Sequence, residues 1–259
     1  MDEQLLLKQV KENPLIIENI DNPSDEIISM AVKKNGMAIK LINNPSYDLK
    51  KEAIKSNVLC VEYIEELEED LQILAVNLLW NSLKLIKNPS YKVQKEAVKN
   101  KGWAIQYINN PSEELCLLAV NKDYDAIKYI SEPSEQVQMA AVKNCWSAIK
   151  YINNATLDVN RQAIREDEEA IHFIRSYDID ELKIFIGDNI KVVKYLYESI
   201  DVEIVVEVLM EKLKNDDFTA EYMKDFIDLE ILEMDKIGFI NMYGSKNAKK
   251  LLVDYKLSK

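Results

Sequence analysis

Residues 133–154 read Pro-Ser-Glu-Gln-Val-Gln-Met-Ala-Ala-Val-Lys-Asn-Cys-Trp-Ser-Ala-Ile-Lys-Tyr-Ile-Asn-Asn, and the same layout returns every 22 residues along most of the chain. Pro23, Pro45, Pro89, Pro111 and Pro133 all stand at multiples of that interval, four of them in an Asn-Pro-Ser string. Units this short bury an apolar face only by stacking on their neighbours. The period therefore predicts an all-α fold, an α-solenoid of two-helix 22-residue repeats, and not a single globule around a pocket.

Aligned on the period, Ala31, Ala53, Ala75, Ala97, Ala119, Ala141 and Ala163 fall in one column, followed by β-branched aliphatics such as Val32, Ile54 and Val76. Four residues before the alanines runs another apolar column, among them Ile27, Leu71 and Val137. Spacings of four and five belong to one helical face, so the first half of each block reads as an amphipathic helix. The second half reads as a shorter helix built on a small residue, an aliphatic and another aliphatic three later, as in Ala148, Ile149 and Ile152. Between them stands a column of Asn35, Asn57, Asp123, Asp167 and Asn189, with Gly36 and Gly102 following, where a left-handed reversal is expected. At the block boundary Asn43 is expected to end one helix and Asn44 to cap the next, with proline in the first helical turn. Leu67, Ala155 and Tyr177 replace that proline, so less sharply defined junctions are expected there.

The register runs back to Met1 and fails after about Ser199. Residues 1–198 therefore read as nine repeats and residues 199–259 as a C-terminal helical cap over the last repeat face.

Composition narrows function. A net charge of −12 argues against a general duplex-DNA binder, whose affinity rests on phosphate neutralisation. It leaves room for a local basic stripe, a basic protein partner or mimicry of nucleic acid. No signal segment and no apolar run of membrane-spanning length is found, which predicts a soluble cytoplasmic protein with no membrane association. Cys60, Cys116 and Cys145 show no paired spacing and read as free thiols in helical columns.

No catalytic, cofactor-binding or metal-binding residues stand out. The one histidine, His172, falls in an exposed column otherwise held by lysines, Gln106 and Glu62, with no nucleophile to serve. Five glycines in the whole chain form no phosphate-cradling cluster. Carboxylate runs such as Glu166 to Glu169 sit where acids favour a helix start or solvate a turn.

The candidate partner-binding surface lies on the second helices, which in α-solenoids usually line the concave face. It combines Met37, Trp80, Trp103, Tyr124 and Trp146 with Tyr107 and with Lys40, Lys84, Lys128 and Lys150. Framework positions of a repeat are uniform and recognition positions differ, and the tryptophan positions differ from block to block. The neighbouring column of Tyr63, Tyr107, Tyr129, Tyr151, Phe173 and Tyr195 has two open readings, as recognition surface or as spacers between repeats. Aromatics interleaved with lysines suit an extended partner through apolar anchoring, cation–π contact or base stacking.

The block at 133–154 resembles short tandem α-helical repeats of unknown function found in bacteria, their phages and giant viruses, similar in layout to leucine-rich-variant and HEAT-like solenoids. The resemblance covers about three-quarters of the chain and implies a binding scaffold with no catalytic residues. The expected function is thus a non-enzymatic binder of a protein partner, an adaptor or an inhibitor of the phage counter-defence kind. The alternatives are binding of single-stranded nucleic acid or a nucleotide signal, and acidic mimicry of nucleic acid. No cofactor is expected, and the sequence does not fix the oligomeric state.

Overall fold

The computed structural model describes residues 3–257, which fall into two compact units, Met1–Glu132 and Pro133–Lys259. Among the described residues there is no β-strand. The fold is an all-α solenoid in which each repeat pairs a ten-residue α-helix with a short 3-10 helix, here called a rung.

In the first unit the pairs are α1 (Glu3–Glu12) with η1 (Pro14–Asn19), α2 (Asp25–Lys34) with η2 (Gly36–Leu41) and α3 (Tyr47–Ser56) with η3 (Val58–Tyr63). They continue with α4 (Glu69–Leu78) and η4 (Trp80–Leu85), α5 (Tyr91–Asn100) and η5 (Gly102–Tyr107), and α6 (Glu113–Lys122) and η6 (Tyr124–Tyr129). Each α-helix packs on the next and each rung on the next, giving two layers. The alanine column and its β-branched neighbours are wholly buried between them, with Ala31, Val32, Ala53, Ile54, Ala97 and Val98 all at 0% exposure.

The second half of each repeat is a 3-10 helix because six residues offer few i→i+4 bonds, while i→i+3 bonds close at once, as from Ala38 N–H to Asn35 O at 2.9 Å. Its three-residue turn also explains the aliphatic spacing: Ile39 and Ile42, or Ile105 and Ile108, lie on one inward edge. The residue linking α-helix and rung is extended and not left-handed; Asn35 has φ −147°. Its N–H still bonds back to Ala31 O while its side chain accepts from Met37 N–H at 3.0 Å, capping both elements. Gly36 and Gly102 follow for lack of room. A Cβ there would stand 2.2 Å from Ala53 O or 2.4 Å from Ala119 O.

In the repeats of the first unit the left-handed residues are instead Asn22, Asn44, Asn88 and Asn110, each directly before the proline. Proline disfavours the right-handed helix in the residue before it, and Asn takes the left-handed form more readily than most residues. Proline stands two residues before the first helical residue and not in the helical turn, and the cap is the serine after it: Ser24, Ser46, Ser90 and Ser112 accept from the N–H three residues on at 3.3–3.4 Å. The junction without proline is just as sharp, since α4 starts in phase at Glu69. There the buried Lys50 donates to Glu66 O and to the Glu68 carboxylate at 3.2 Å. Gln72 and Gln94 make related bonds, each to the backbone carbonyl five residues earlier.

Neighbouring α-helices run the same way: Ser24 and Ser90 bond Glu3 and Glu69 at their starts, and Ser56 and Asn100 bond Lys33 O and Val76 O at their ends. Acids gather in the first turns (Asp25, Glu26, Asp48, Glu69, Asp70, Glu113, Glu114) and lysines in the last (Lys33, Lys34, Lys55, Lys99, Lys122).

The second unit holds α7 (Glu135–Asn144) and η7 (Trp146–Tyr151), α8 (Leu157–Glu166) and η8 (Glu168–Phe173), and α9 (Ile179–Asp188) and η9 (Ile190–Val192). The α10 turn (Val193–Leu196) extends η9, and α11 (Val202–Asn215), α12 (Ala220–Asp228), α13 (Lys236–Tyr243) and α14 (Lys246–Leu257) follow. The junctions at Ala155 and Tyr177 are also sharp, with Thr156 capping α8 and an Asp178/Glu181 capping box starting α9. Helix α11 lies on α9 and α12 on η9, so these helices cover the last repeat of the unit. The buried Tyr222 hydroxyl donates to Ile186 O at 3.1 Å, and Asp188 accepts from both Arg161 and Arg165 at 2.7 Å.

Two stability changes of opposite sign are expected. Ser112→Ala removes a cap and should cost about 1 kcal/mol. Ser82 occupies the small-residue column of η4 with its hydroxyl buried and unbonded, so Ser82→Ala should gain about 1 kcal/mol. Urea denaturation followed by circular dichroism checks both.

Candidate functional site

A 3-10 helix turns once in three residues, so the second and fifth residues of each rung share one outward edge. In the first unit these pairs are Leu15/Glu18, Met37/Lys40, Leu59/Glu62, Asn81/Lys84, Trp103/Gln106 and Asp125/Lys128. All six fifth residues are exposed, and Trp103 and Met37 are half-buried. The predicted site residues therefore sit in different rows. Met37 and Trp103 take the second position, Lys40, Lys84 and Lys128 the fifth, Trp80 and Tyr124 the first, and Tyr107 the sixth.

The first and second positions compensate one another. Where the first is the crowded Gly36 or Gly102, the second is the large Met37 or Trp103; where the first is Trp80 or Tyr124, the second is Asn81 or Asp125. Each of these rungs thus presents one bulky side chain at its start.

The two tryptophans reach the next rung. Trp80 stacks on Tyr107 with centroids 6.1 Å apart, and Trp103 meets Tyr129 edge-on at 6.3 Å. Tyr107 and Tyr129 are accordingly spacers between repeats with one side still open, whereas Tyr63 is 48% exposed. Sequence reasoning did not single out Leu59, which is equally exposed. Its signal was present, a large aliphatic in the same position as Trp103.

Trp103 is the most heavily furnished aromatic. Its indole N–H donates to Asp125 at 2.7 Å, and the ammonium groups of Lys101 and Lys128 lie 4.7 and 4.3 Å from its ring centre. Both lysines are already matched, Lys101 to Asp123 at 2.7 Å and Lys128 to Asp125 at 2.9 Å. Burial acts to raise the Asp125 carboxyl, but the Trp103 indole and the Lys128 ammonium outweigh it and hold the group below its ordinary range. Around Trp103 the surface is aromatic and charge-balanced.

In the second unit, Trp146 lies 6.3 Å from Phe173, and Lys150 stands over both rings at 5.1 and 4.4 Å. Lys150 has no carboxylate within ion-pair reach among the described residues. His172 is exposed and packs edge-on against Tyr195 at 4.5 Å. Lys191 and Lys194 converge on Glu168 at 3.1 and 3.2 Å.

Among the described residues no group of His, Cys, Asp and Glu is arranged to hold a metal ion, and no helix is long and apolar enough to cross a membrane. Cys60, Cys116 and Cys145 are free thiols, and burial pushes the Cys60 thiol up to about 12, which keeps it protonated and unreactive at neutral pH.

Because the unfolded Asp125 carboxyl titrates near 3.8 and the folded one lower, the group adds stability above the unfolded value and loses it as pH falls through the folded one. Asp125→Asn should therefore lower the melting temperature at neutral pH, with the gap from wild type closing in strong acid. Thermal melts read by tryptophan fluorescence across that range check it. No protein-family profile, curated protein or solved structure matches this chain.

Proposed function

We propose that the chain is a non-enzymatic α-solenoid binding protein whose rungs grip a protein partner, as an adaptor or as an inhibitor of the phage counter-defence kind. The observation that carries the reading is the Trp80–Tyr107 and Trp103–Tyr129 ladder. It is half-open, its tryptophans stand at positions that vary between repeats, and the lysines around Trp103 are already neutralised by Asp123 and Asp125. Large rigid aromatics with balanced charge suit a protein surface, where such anchors carry most of the affinity. Matched lysines suit a polyphosphate poorly, since each phosphate contact would first have to break an ion pair. The resemblance to repeat scaffolds points the same way.

One feature favours a second reading. Lys150 above Trp146 and Phe173, without an acidic partner, is fit to hold a base by stacking and a phosphate by charge. On that reading a labelled single-stranded oligonucleotide binds with an affinity that falls steeply with salt, and Lys150→Ala removes it.

For the leading reading, the partner is captured from native cell extract on immobilised protein and identified by mass spectrometry. Trp80→Ala/Trp103→Ala is expected to reduce its capture at least about tenfold while the circular dichroism spectrum is kept. Undiminished capture by the folded variant would reject the assignment.

A further inference from the structure

The first four rungs carry charges that the packing does not use. Their fifth residues, Glu18, Lys40, Glu62 and Lys84, alternate in sign from one rung to the next, and all are exposed. None makes an ion pair or hydrogen bond among the described residues, although Lys101, just before η5, and Lys128, on η6, are matched to Asp123 and Asp125. Leu59 and Tyr63 flank Glu62 on η3, each 48% exposed. An alternating row of unpaired charge beside exposed apolar groups is complementary to a partner that brings the opposite alternation at the same spacing.

That spacing selects a conformation. The rungs advance by the same step per repeat as the α-helices they alternate with, and packed α-helices lie about 8–10 Å apart. A polyproline II segment rises about 3.1 Å per residue with three residues per turn, so every third side chain faces the same way after about 9.3 Å. In a β-strand, side chains three apart point to opposite faces. An α-helix falls short of the step in one turn, about 5.4 Å, and overshoots it in two, about 10.8 Å, so its charges drift out of register over four rungs.

We infer that rungs η1 to η4 bind an extended, otherwise disordered segment of a protein partner in polyproline II form, with charges alternating at every third residue. Basic side chains sit over Glu18 and Glu62, acidic ones over Lys40 and Lys84, and an apolar residue between them packs on Leu59 and Tyr63. The inference rests on the protein-binding reading and names the class of segment recognised.

The test uses the full chain and two fluorescein-labelled peptides of one composition, Lys-Pro-Pro-Glu-Pro-Pro-Lys-Pro-Pro-Glu and Lys-Pro-Pro-Lys-Pro-Pro-Glu-Pro-Pro-Glu, read by fluorescence polarisation at low salt. The wild type is expected to prefer the alternating peptide by about tenfold, the product of two surface pairs turned from attraction to repulsion. The variant Lys40→Glu/Glu62→Lys keeps the net charge but reorders the row, and should reverse the preference. Equal binding of both peptides, no binding of either up to about 1 mM, or an unreversed preference in the variant overturns the inference. Capture by Trp80→Ala/Trp103→Ala then judges the protein-binding reading separately.

Discussion

Everything in this fold depends on how closely the two layers of each repeat approach, and the alanine column sets that distance. Ala31, Ala53, Ala75, Ala97 and Ala119 have no exposed surface, and beneath the rungs Ala38, Cys60, Ser82, Ala104 and Ala126 are equally enclosed. A larger residue at either column forces the layers apart and breaks contact with both neighbouring repeats. Gly36 and Gly102 are the extreme case, where even a methyl group meets a carbonyl of the next helix. The tolerance for a buried unbonded hydroxyl at Ser82 shows how strictly size outranks polarity there.

Most of this architecture was legible in the sequence, because a strict period multiplies a weak local signal. The amphipathic α-helices and their phase follow from the columns, and the helices after the last repeat from the point where the columns stop. Local chemistry was less legible. Asn35 and Asn44 are the same residue type, yet one is extended and caps a rung while the other is left-handed before proline. Only the bonding of the surrounding backbone separates the two. The sharp start of α4 without a proline is held by Lys50 reaching Glu66 at the block boundary and Glu68 in the following repeat, a contact that no local reading of either segment contains.

The candidate surface was legible in part. Trp80, Trp103 and Trp146 stand out in the sequence as positions that vary and the lysines as a recurring column, but their grouping into rows depends on the rung being a 3-10 helix, whose period of three aligns Met37 with Lys40 and Leu59 with Glu62. Lys101 is matched by Asp123 of the next repeat, a contact no local reading contains, and Lys128 by Asp125 three residues before it on the same rung. That matching balances the charge around Trp103, while Lys40 and Lys84 keep theirs unpaired among the described residues.

The common direction of the α-helices in the first unit has an electrical consequence. Peptide dipoles lying side by side oppose one another, and the acids at the helix starts with the lysines at the ends offset that cost. The same arrangement leaves a negative margin and a positive margin on opposite sides of the sheet of helices. Such a body feels a torque in the field of any strongly charged neighbour, so it approaches already turned, before a single side chain has touched.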